Sequence, residues 1–162
     1  MTLVQSAGTR AVGWIALVVA VLVPGVVATV LWAPFLAVNR IRSLFATLPP
    51  TGRLSPTYVA VAIGVSVPYV AGFLAVLAFV DPAVVAWSNA FLTVTLFVSV
   101  LYVVGLPVVC ILGLPRVGFD WDPTGYGWST WALLVVGSAW YATLFAVPLV
   151  AVSLVLALPG GY

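Results

Sequence analysis

The chain lacks most of the side chains that carry out chemistry. Its 162 residues include no histidine, and the only charged residues are five arginines and three aspartates, 5% of the whole. Soluble domains carry about 25% charged residues. Without histidine or lysine there is no imidazole for a metal, a haem or general-base catalysis, and no amine for a Schiff base. We therefore expect no enzyme activity, no catalytic residue and no cofactor.

Cysteine and net charge are also scarce. Cys110 is the only cysteine and lies in an apolar run, so an internal disulfide is excluded and a buried, inert thiol is expected. The net charge of +2 is small and scattered, which predicts no nucleic-acid binding. Arginine as the only cation, with abundant Val, Ala, Gly and Pro, is typical of a GC-rich genome such as that of a halophile.

Apolar residues make up 65% of the chain, so its outer surface is expected to face a bilayer. A spanning helix needs about 20 mostly apolar residues. Four continuous runs qualify, at 11–38, 57–80, 89–114 and 129–158. Strands of a barrel would instead alternate in polarity over about 10 residues. The sequence thus predicts an all-α integral membrane protein, one domain of four transmembrane helices.

Helix boundaries carry their own signals. Ser55, which precedes Pro56, and Ser129 are typical helix N-caps. The apolar run that ends near Arg116 starts at about residue 82, and a single helix of this length would measure about 50 Å against a hydrocarbon thickness of ~30 Å. We expect residues 82–88 to lie in the interface before the third span begins at Asn89. The alternative is one long, tilted helix.

Arginine distribution predicts the orientation. The loops at 39–56 and 115–128 hold Arg40, Arg42, Arg53 and Arg116, whereas the opposite side holds only Arg10. Cytoplasmic loops carry the excess of arginine, so both termini are expected outside. The four loop arginines are also expected to contact lipid phosphates.

Each predicted span contains an interior proline, at Pro24, Pro68, Pro107 and Pro148. Such prolines predict kinked helices, which are either static or hinges for gating. The offset from Pro24 to Pro107 is 83 residues and that from Pro68 to Pro148 is 80. These similar offsets suggest two helical hairpins in tandem.

Small residues at four-residue spacing predict close helix packing, either within the chain or with a partner. The predicted helix-packing residues are Ala16, Ala20 and Ala28 in the first span, Ala60, Gly64 and Gly72 in the second, and Ser138, Ala142 and Ala146 in the fourth. The third span instead carries polar side chains, Asn89, Thr93, Ser99 and Tyr102, which either bond a neighbouring helix or line a pore.

The segment 118–131, "GFDWDPTGYGWSTW", contains the only neighbouring acids. Asp120, Asp122 and Thr124 match the first ligand positions of an EF-hand loop, but the position of the bidentate glutamate is Trp131. These three residues are thus candidate cation ligands without a complete set, and we expect no metal site. The two aspartates are alternatively expected to cap turn N–H groups or to pair with Arg116.

Aromatic residues in the same segment give two further interpretations. Trp121, Tyr126, Trp128 and Trp131 are typical of rings that lie at headgroup depth as interface anchors. Exposed tryptophan and tyrosine also suit a docking surface for a partner.

These features predict a non-catalytic accessory or structural protein, a small subunit of a larger assembly such as a respiratory or transport complex or a virion membrane. The alternative is a small oligomeric channel or transporter without an ionisable residue in the membrane. The expected partners are the lipid bilayer and other membrane subunits or further copies of the chain.

Overall fold

The computed structural model describes residues 13, 19, 23–49, 53–81 and 84–158, and all its regular elements there are helices. The predictions for Ala16, Ala20 and Arg10 lie outside the described residues. The helices are α1 (Val23–Ala37, ending in the 3₁₀ turn Ala33–Ala37), α2 (Asn39–Thr47), α3 (Leu54–Phe79), α4 (Val84–Val100, continuing to Arg116) and α5 (Trp128–Ala157).

Three helices are long and apolar enough to cross a membrane. They span Leu54–Phe79, Ala86–Arg116 and Trp128–Ala157, with 26, 31 and 30 residues. A fourth crossing is added if α1 and α2, which meet at a bend of 119°, count as one span. The described part of the chain is therefore helical and holds three to four potential spans.

Helix α4 is continuous from Val84, so residues 84–88 belong to the same helix as the apolar run that follows. This continuity favours the single long helix over a separate interfacial segment. Two π-helical segments, Leu101–Gly105 and Val109–Gly113, flank Pro107. Proline lacks an N–H and its ring clashes with the carbonyl one turn earlier, and a widened turn relieves that clash.

The predicted serine N-caps are wrong. Helix α3 begins at Leu54 with Arg53 as its N-cap, and α5 begins at Trp128 with Gly127 as its N-cap. Ser55 and Ser129 therefore lie within the first helical turns. The Ser129 hydroxyl instead accepts a hydrogen bond from Arg40, at 2.7 Å.

Helices α4 and α5 run antiparallel and are joined by reciprocal serine hydrogen bonds. Ser88 Oγ donates to the Ser153 carbonyl and Ser153 Oγ donates to the Ser88 carbonyl, both at 2.8 Å. The end of α4 and the start of α5 consequently lie together. This end, with α2 and the start of α3, carries Arg40, Arg42, Arg53 and Arg116, and we call it the arginine end.

Among the described residues, the core has two groups of buried side chains. One lies at the arginine end and the other in the middle of the bundle. The first includes Ile41, Phe45, Tyr58, Trp121 and Leu134, and the second includes Ala28, Tyr69, Tyr102, Tyr141 and Phe145. Both groups draw on α3, α4 and α5, so these helices share one interior.

The predicted packing residues fall into two sets. Ala28, Ser138 and Ala142 are buried, and Gly72 and Ala146 are half-buried. Ala60 and Gly64 are exposed, and no atom lies within 4 Å of the position that a Cβ on Gly64 would occupy. Gly64 therefore does not pack against a neighbouring helix among the described residues.

Candidate functional site

The loop between α4 and α5 carries Asp120 and Asp122 together with two glycines at positive φ. Gly118 and Gly125 have φ values of 91° and 85°, which glycine adopts without strain. The amide of Phe119 donates to the Leu114 carbonyl at 2.9 Å and closes the end of α4. The loop then turns inward and places Asp122 in the interior.

Asp122 is 3% exposed and accepts hydrogen bonds on both carboxylate oxygens. Its Oδ1 accepts from the backbone N–H of Thr124 at 3.0 Å and from the Thr124 hydroxyl at 2.7 Å. Its Oδ2 accepts from the Thr130 hydroxyl at 2.6 Å. The prediction that an aspartate caps a turn N–H is thus confirmed for Asp122.

Arg40 is the cation that faces this carboxylate. Its Nε lies 3.9 Å from Asp122 Oδ1. Its Nη1 donates to Ser129 Oγ at 2.7 Å and to Thr130 Oγ1 at 3.1 Å. The sequence suggests Arg116 as the partner of the aspartates. Asp122 instead faces Arg40, and Arg116 is exposed at the end of α4. Arg40 thus ties α2 to the loop through Asp122 and to the start of α5 through Ser129 and Thr130.

The surroundings of Asp122 favour its ionised form. Burial alone would raise the pKa of Asp122, but hydrogen bonds from Thr130 and Thr124 and the charge of Arg40 outweigh burial and hold the pKa below its ordinary value of 3.8. The carboxylate is therefore charged at neutral pH.

Asp120 points to a different partner. It is exposed and accepts a hydrogen bond from the Tyr126 hydroxyl at 2.7 Å. Tyr126 Oη in turn accepts from the backbone N–H of Trp121 at 3.1 Å. Burial and the bond to Asp120 raise the pKa of the Tyr126 phenol. The two aspartates thus serve separate hydrogen-bond networks.

These contacts bear on the candidate cation ligands Asp120, Asp122 and Thr124. Arg40 already supplies a positive charge beside Asp122, and the Thr124 hydroxyl donates its proton to Asp122. The searched part of the chain holds no group of three or more His, Cys, Asp or Glu side chains that could bind a metal. The arrangement is suited to holding the loop rather than to presenting ligands.

The four aromatic residues differ in position. Trp128 is 86% exposed, and Tyr126 and Trp131 are half-buried. Trp121 is only 1% exposed, because its ring packs in the core at the arginine end and its Nε1–H donates to the Cys110 carbonyl at 2.7 Å. Its ring is therefore enclosed by protein, unlike a ring at headgroup depth.

Two contributors to this site have no usable sequence signal. Ser43 on α2 donates to the Trp121 carbonyl at 2.5 Å, and Thr130 links Arg40 to Asp122. Ser43 lies 78 residues from Trp121, and nothing in a local pattern relates them. Thr130 follows Ser129, which the sequence predicts as the helix N-cap, and no pattern in the sequence marks Thr130 itself as a partner of Arg40 and Asp122.

Comparison with known proteins identifies the family. No curated protein and no solved structure matches the chain. A family described as a domain of unknown function, DUF8162, matches residues 12–160, which is nearly the whole chain. The protein is therefore a member of the DUF8162 family.

Proposed function

We propose that this protein is a non-catalytic accessory subunit that packs against other proteins in a membrane assembly of a cell or a virion. The main support is how its interior polar groups are used. Hydroxyl and indole N–H groups from one helix donate to backbone carbonyls of another, which joins the helices into a scaffold.

Three contacts illustrate this use. Trp32 Nε1–H on α1 donates to the Gly137 carbonyl on α5 at 2.9 Å, and Tyr141 on α5 donates to the Ala62 carbonyl on α3 at 2.6 Å. Tyr102 on α4 donates to the Val65 carbonyl on α3. In an apolar medium a polar group without a partner is unfavourable, so these bonds favour a defined arrangement of helices. A scaffold of this kind suits an assembly subunit.

The outward surfaces of the long helices also support the proposal. On α4, Phe97 is 70% exposed, and Val100 and Val104 are exposed beside it. On α5, Val136 and Val147 are exposed in the same way. Apolar surfaces of this extent suit lipid and neighbouring membrane proteins.

We infer four spans in the bilayer, as predicted at 11–38, 57–80, 89–114 and 129–158, with α1 in the first span and α2 in the cytoplasmic loop that follows it. The arginine end faces the cytoplasm and the termini lie outside, because arginine is concentrated in the loops that remain inside. The prolines are interpreted as kinks in a bundle of two tandem hairpins. Trp128 lies at headgroup depth in this arrangement.

The direct test is purification of the native particle. The full chain with a C-terminal tag is extracted gently from its source membrane, and copurifying proteins are identified by mass spectrometry. The proposal predicts stoichiometric copurification of other membrane proteins. Recovery of this chain alone would contradict it.

Surface variants sharpen the result. Phe97→Ala changes an outward side chain of α4, and Val136→Ala changes an outward side chain of α5. Loss of a partner in one variant, with thermal stability unchanged in both, identifies the face that holds the partner.

A homo-oligomeric channel is the second candidate, and one observation favours it. Asn89 and Thr93 are both exposed and lie one turn apart on α4, whereas the other exposed positions between residues 89 and 112 are apolar. Several copies placed around an axis would bring these side chains together. The other polar residues of α4 are used differently, since Ser99 donates to the Thr95 carbonyl and contacts the Tyr69 hydroxyl at 2.8 Å.

The channel is tested by flux into liposomes. It predicts ion or solute flux that is reduced in Asn89→Leu and Thr93→Val and unchanged in Val136→Ala. The channel is eliminated if Asn89→Leu and Thr93→Val give the same flux as Val136→Ala, or if the wild type gives no flux.

A further inference from the structure

We propose that the bundle contains a binding site for one small, uncharged, ring-sized molecule, formed by a cavity of about 110 Å³ at the arginine end. This site is independent of the accessory role proposed above. An engineered apolar cavity of about 150 Å³ binds benzene. The cavity is half-open rather than sealed, so a small molecule can enter it.

All five helices contribute walls to the cavity. Trp32 comes from α1, Phe45 from α2, Tyr58 from α3, Cys110 from α4 and Tyr141 from α5. Most lining atoms belong to apolar or aromatic groups. The Tyr58 hydroxyl donates to the Thr29 carbonyl and the Tyr141 hydroxyl to the Ala62 carbonyl, so the protons of both phenols are already used.

Ser138 supplies the polar group that remains. It lines the cavity and is 7% exposed, and its hydroxyl makes no hydrogen bond in the described part of the chain. Other helix hydroxyls, those of Thr29, Ser99 and Thr143, donate to the carbonyl four residues earlier. Among the described residues, the fully buried side-chain oxygen without a hydrogen bond is that of Thr95, so the Ser138 oxygen is accessible rather than sealed. An accessible hydroxyl without a protein partner is available to a ligand.

The lining determines the class of ligand. No charged side chain lines the cavity, so an ion would be desolvated without compensation. The aromatic rings of four walls favour a flat ring, which stacks or packs edge-on against them. The Ser138 hydroxyl favours a single acceptor on that ring. The predicted ligand is therefore a neutral ring compound with one polar substituent.

A larger crevice of about 370 Å³ between α1, α3 and α5 carries less information. Its lining is apolar except for the Tyr69 hydroxyl, which is paired with Ser99. It thus offers no free polar group to distinguish one apolar occupant from another.

The test compares two probes on the purified full chain. Affinities for fluorobenzene and 4-fluorophenol are measured by fluorine NMR, because the phenol oxygen can accept from Ser138 and benzene offers no such acceptor. The wild type is expected to prefer 4-fluorophenol. Ser138→Ala should weaken 4-fluorophenol binding by about five-fold, the value of one hydrogen bond, and leave fluorobenzene unchanged.

Two further variants locate the site. Ala62→Leu fills the cavity and should abolish binding of both probes. Thr143→Ala removes an outward hydroxyl from the same helix and should change neither affinity. Three results would overturn the proposal: no binding by the wild type, equal behaviour of Ser138→Ala and Thr143→Ala, or undiminished binding by a folded Ala62→Leu variant.

Discussion

The two aspartates of the loop between α4 and α5 show how position decides the role of a residue. They are two residues apart and chemically identical, yet Asp122 is buried against Arg40 while Asp120 is exposed beside Tyr126. Removing the buried Asp122 carboxylate leaves the groups that donate to it without an acceptor, whereas Asp120 is solvated. The two side chains should therefore differ sharply in their effect on stability.

Asp122→Ala should lower the free energy of unfolding by about 2 kcal/mol, because Thr130 and the Thr124 N–H lose their acceptor and Arg40 loses the negative charge that it faces. Asp120→Ala is the matched control and should cost well under about 1 kcal/mol, because Asp120 is solvated. Thermal unfolding of both variants in the same detergent provides the measurement. Equal losses in the two variants would contradict the assignment of a buried, fully hydrogen-bonded role to Asp122.

The pKa of Asp122 predicts a pH dependence. Its folded-state pKa lies below the ordinary value of 3.8, so ionisation stabilises the fold fully above that value. The contribution is lost as pH falls from 3.8 through the lower pKa of the folded state. The stability gap between wild type and Asp122→Asn should therefore be constant near neutral pH and shrink in this acid window. Melting temperatures measured from pH 7 to pH 3 give the comparison, and a gap that widens in acid would refute it.

Residue types alone indicate part of this site. The cluster of Asp120, Asp122 and four aromatic residues marks the loop as unusual. The cation that balances Asp122 is not identifiable in this way, because Arg116 is nearer in sequence whereas Arg40 is nearer in space. Contacts across 89 residues, such as Arg40 with Ser129, depend on how the helices meet.

At the level of the element, helix α3 contrasts two glycines that share one sequence pattern. Gly64 and Gly72 both belong to the four-residue spacing of small residues. Gly64 faces open space, whereas a Cβ on Gly72 would overlap Val94 Cγ1 on α4. A larger side chain thus fits at position 64 without a clash, whereas position 72 requires glycine.

Gly72→Ala should destabilise the protein by about 1 to 3 kcal/mol, since Val94 is β-branched and its rotamer in a helix is restricted. Gly64→Ala should be neutral or stabilising by up to about 1 kcal/mol, because alanine has the higher helix propensity. Thermal unfolding measures both changes. A neutral Gly72→Ala together with a destabilising Gly64→Ala would reverse the assignment of faces.

Apolar runs predict helix boundaries to within a few residues where the run itself ends. The predicted runs 57–80 and 129–158 correspond to α3 at Leu54–Phe79 and α5 at Trp128–Ala157. The sequence predicts that the third span begins at Asn89, because a polar residue there resembles an interfacial boundary. The helix in fact already extends from Val84, so the predicted start is too late. A polar residue on an exposed face does not end a helix.

At the level of the whole molecule, the proposed orientation makes a direct prediction. An alkaline phosphatase reporter fused after Tyr162 should be active, because the C-terminus is expected outside. A green fluorescent protein fused at the same position should remain dark for the same reason. When inserted between residues 117 and 127, which are expected in the cytoplasm, the alkaline phosphatase should be inactive and the green fluorescent protein should fluoresce. A fluorescent C-terminal fusion would reverse the orientation.

The sequence by itself determined that the chain is helical and suited to a membrane. Runs of about 20 apolar residues are local features, and a bilayer accepts them only as helices or closed barrels. The absence of lysine, glutamate and histidine likewise restricts the available chemistry, whichever way the helices pack.

Only the tertiary structure decided which residues meet. It placed Arg40 beside Asp122, enclosed Trp121, turned Gly64 outward and placed Ser138 in the lining of a cavity. The physical reason is that these long helices are apolar on all sides, so hydropathy does not mark an inner face. Their rotation and register follow from side-chain packing and from hydrogen bonds between residues far apart in the chain.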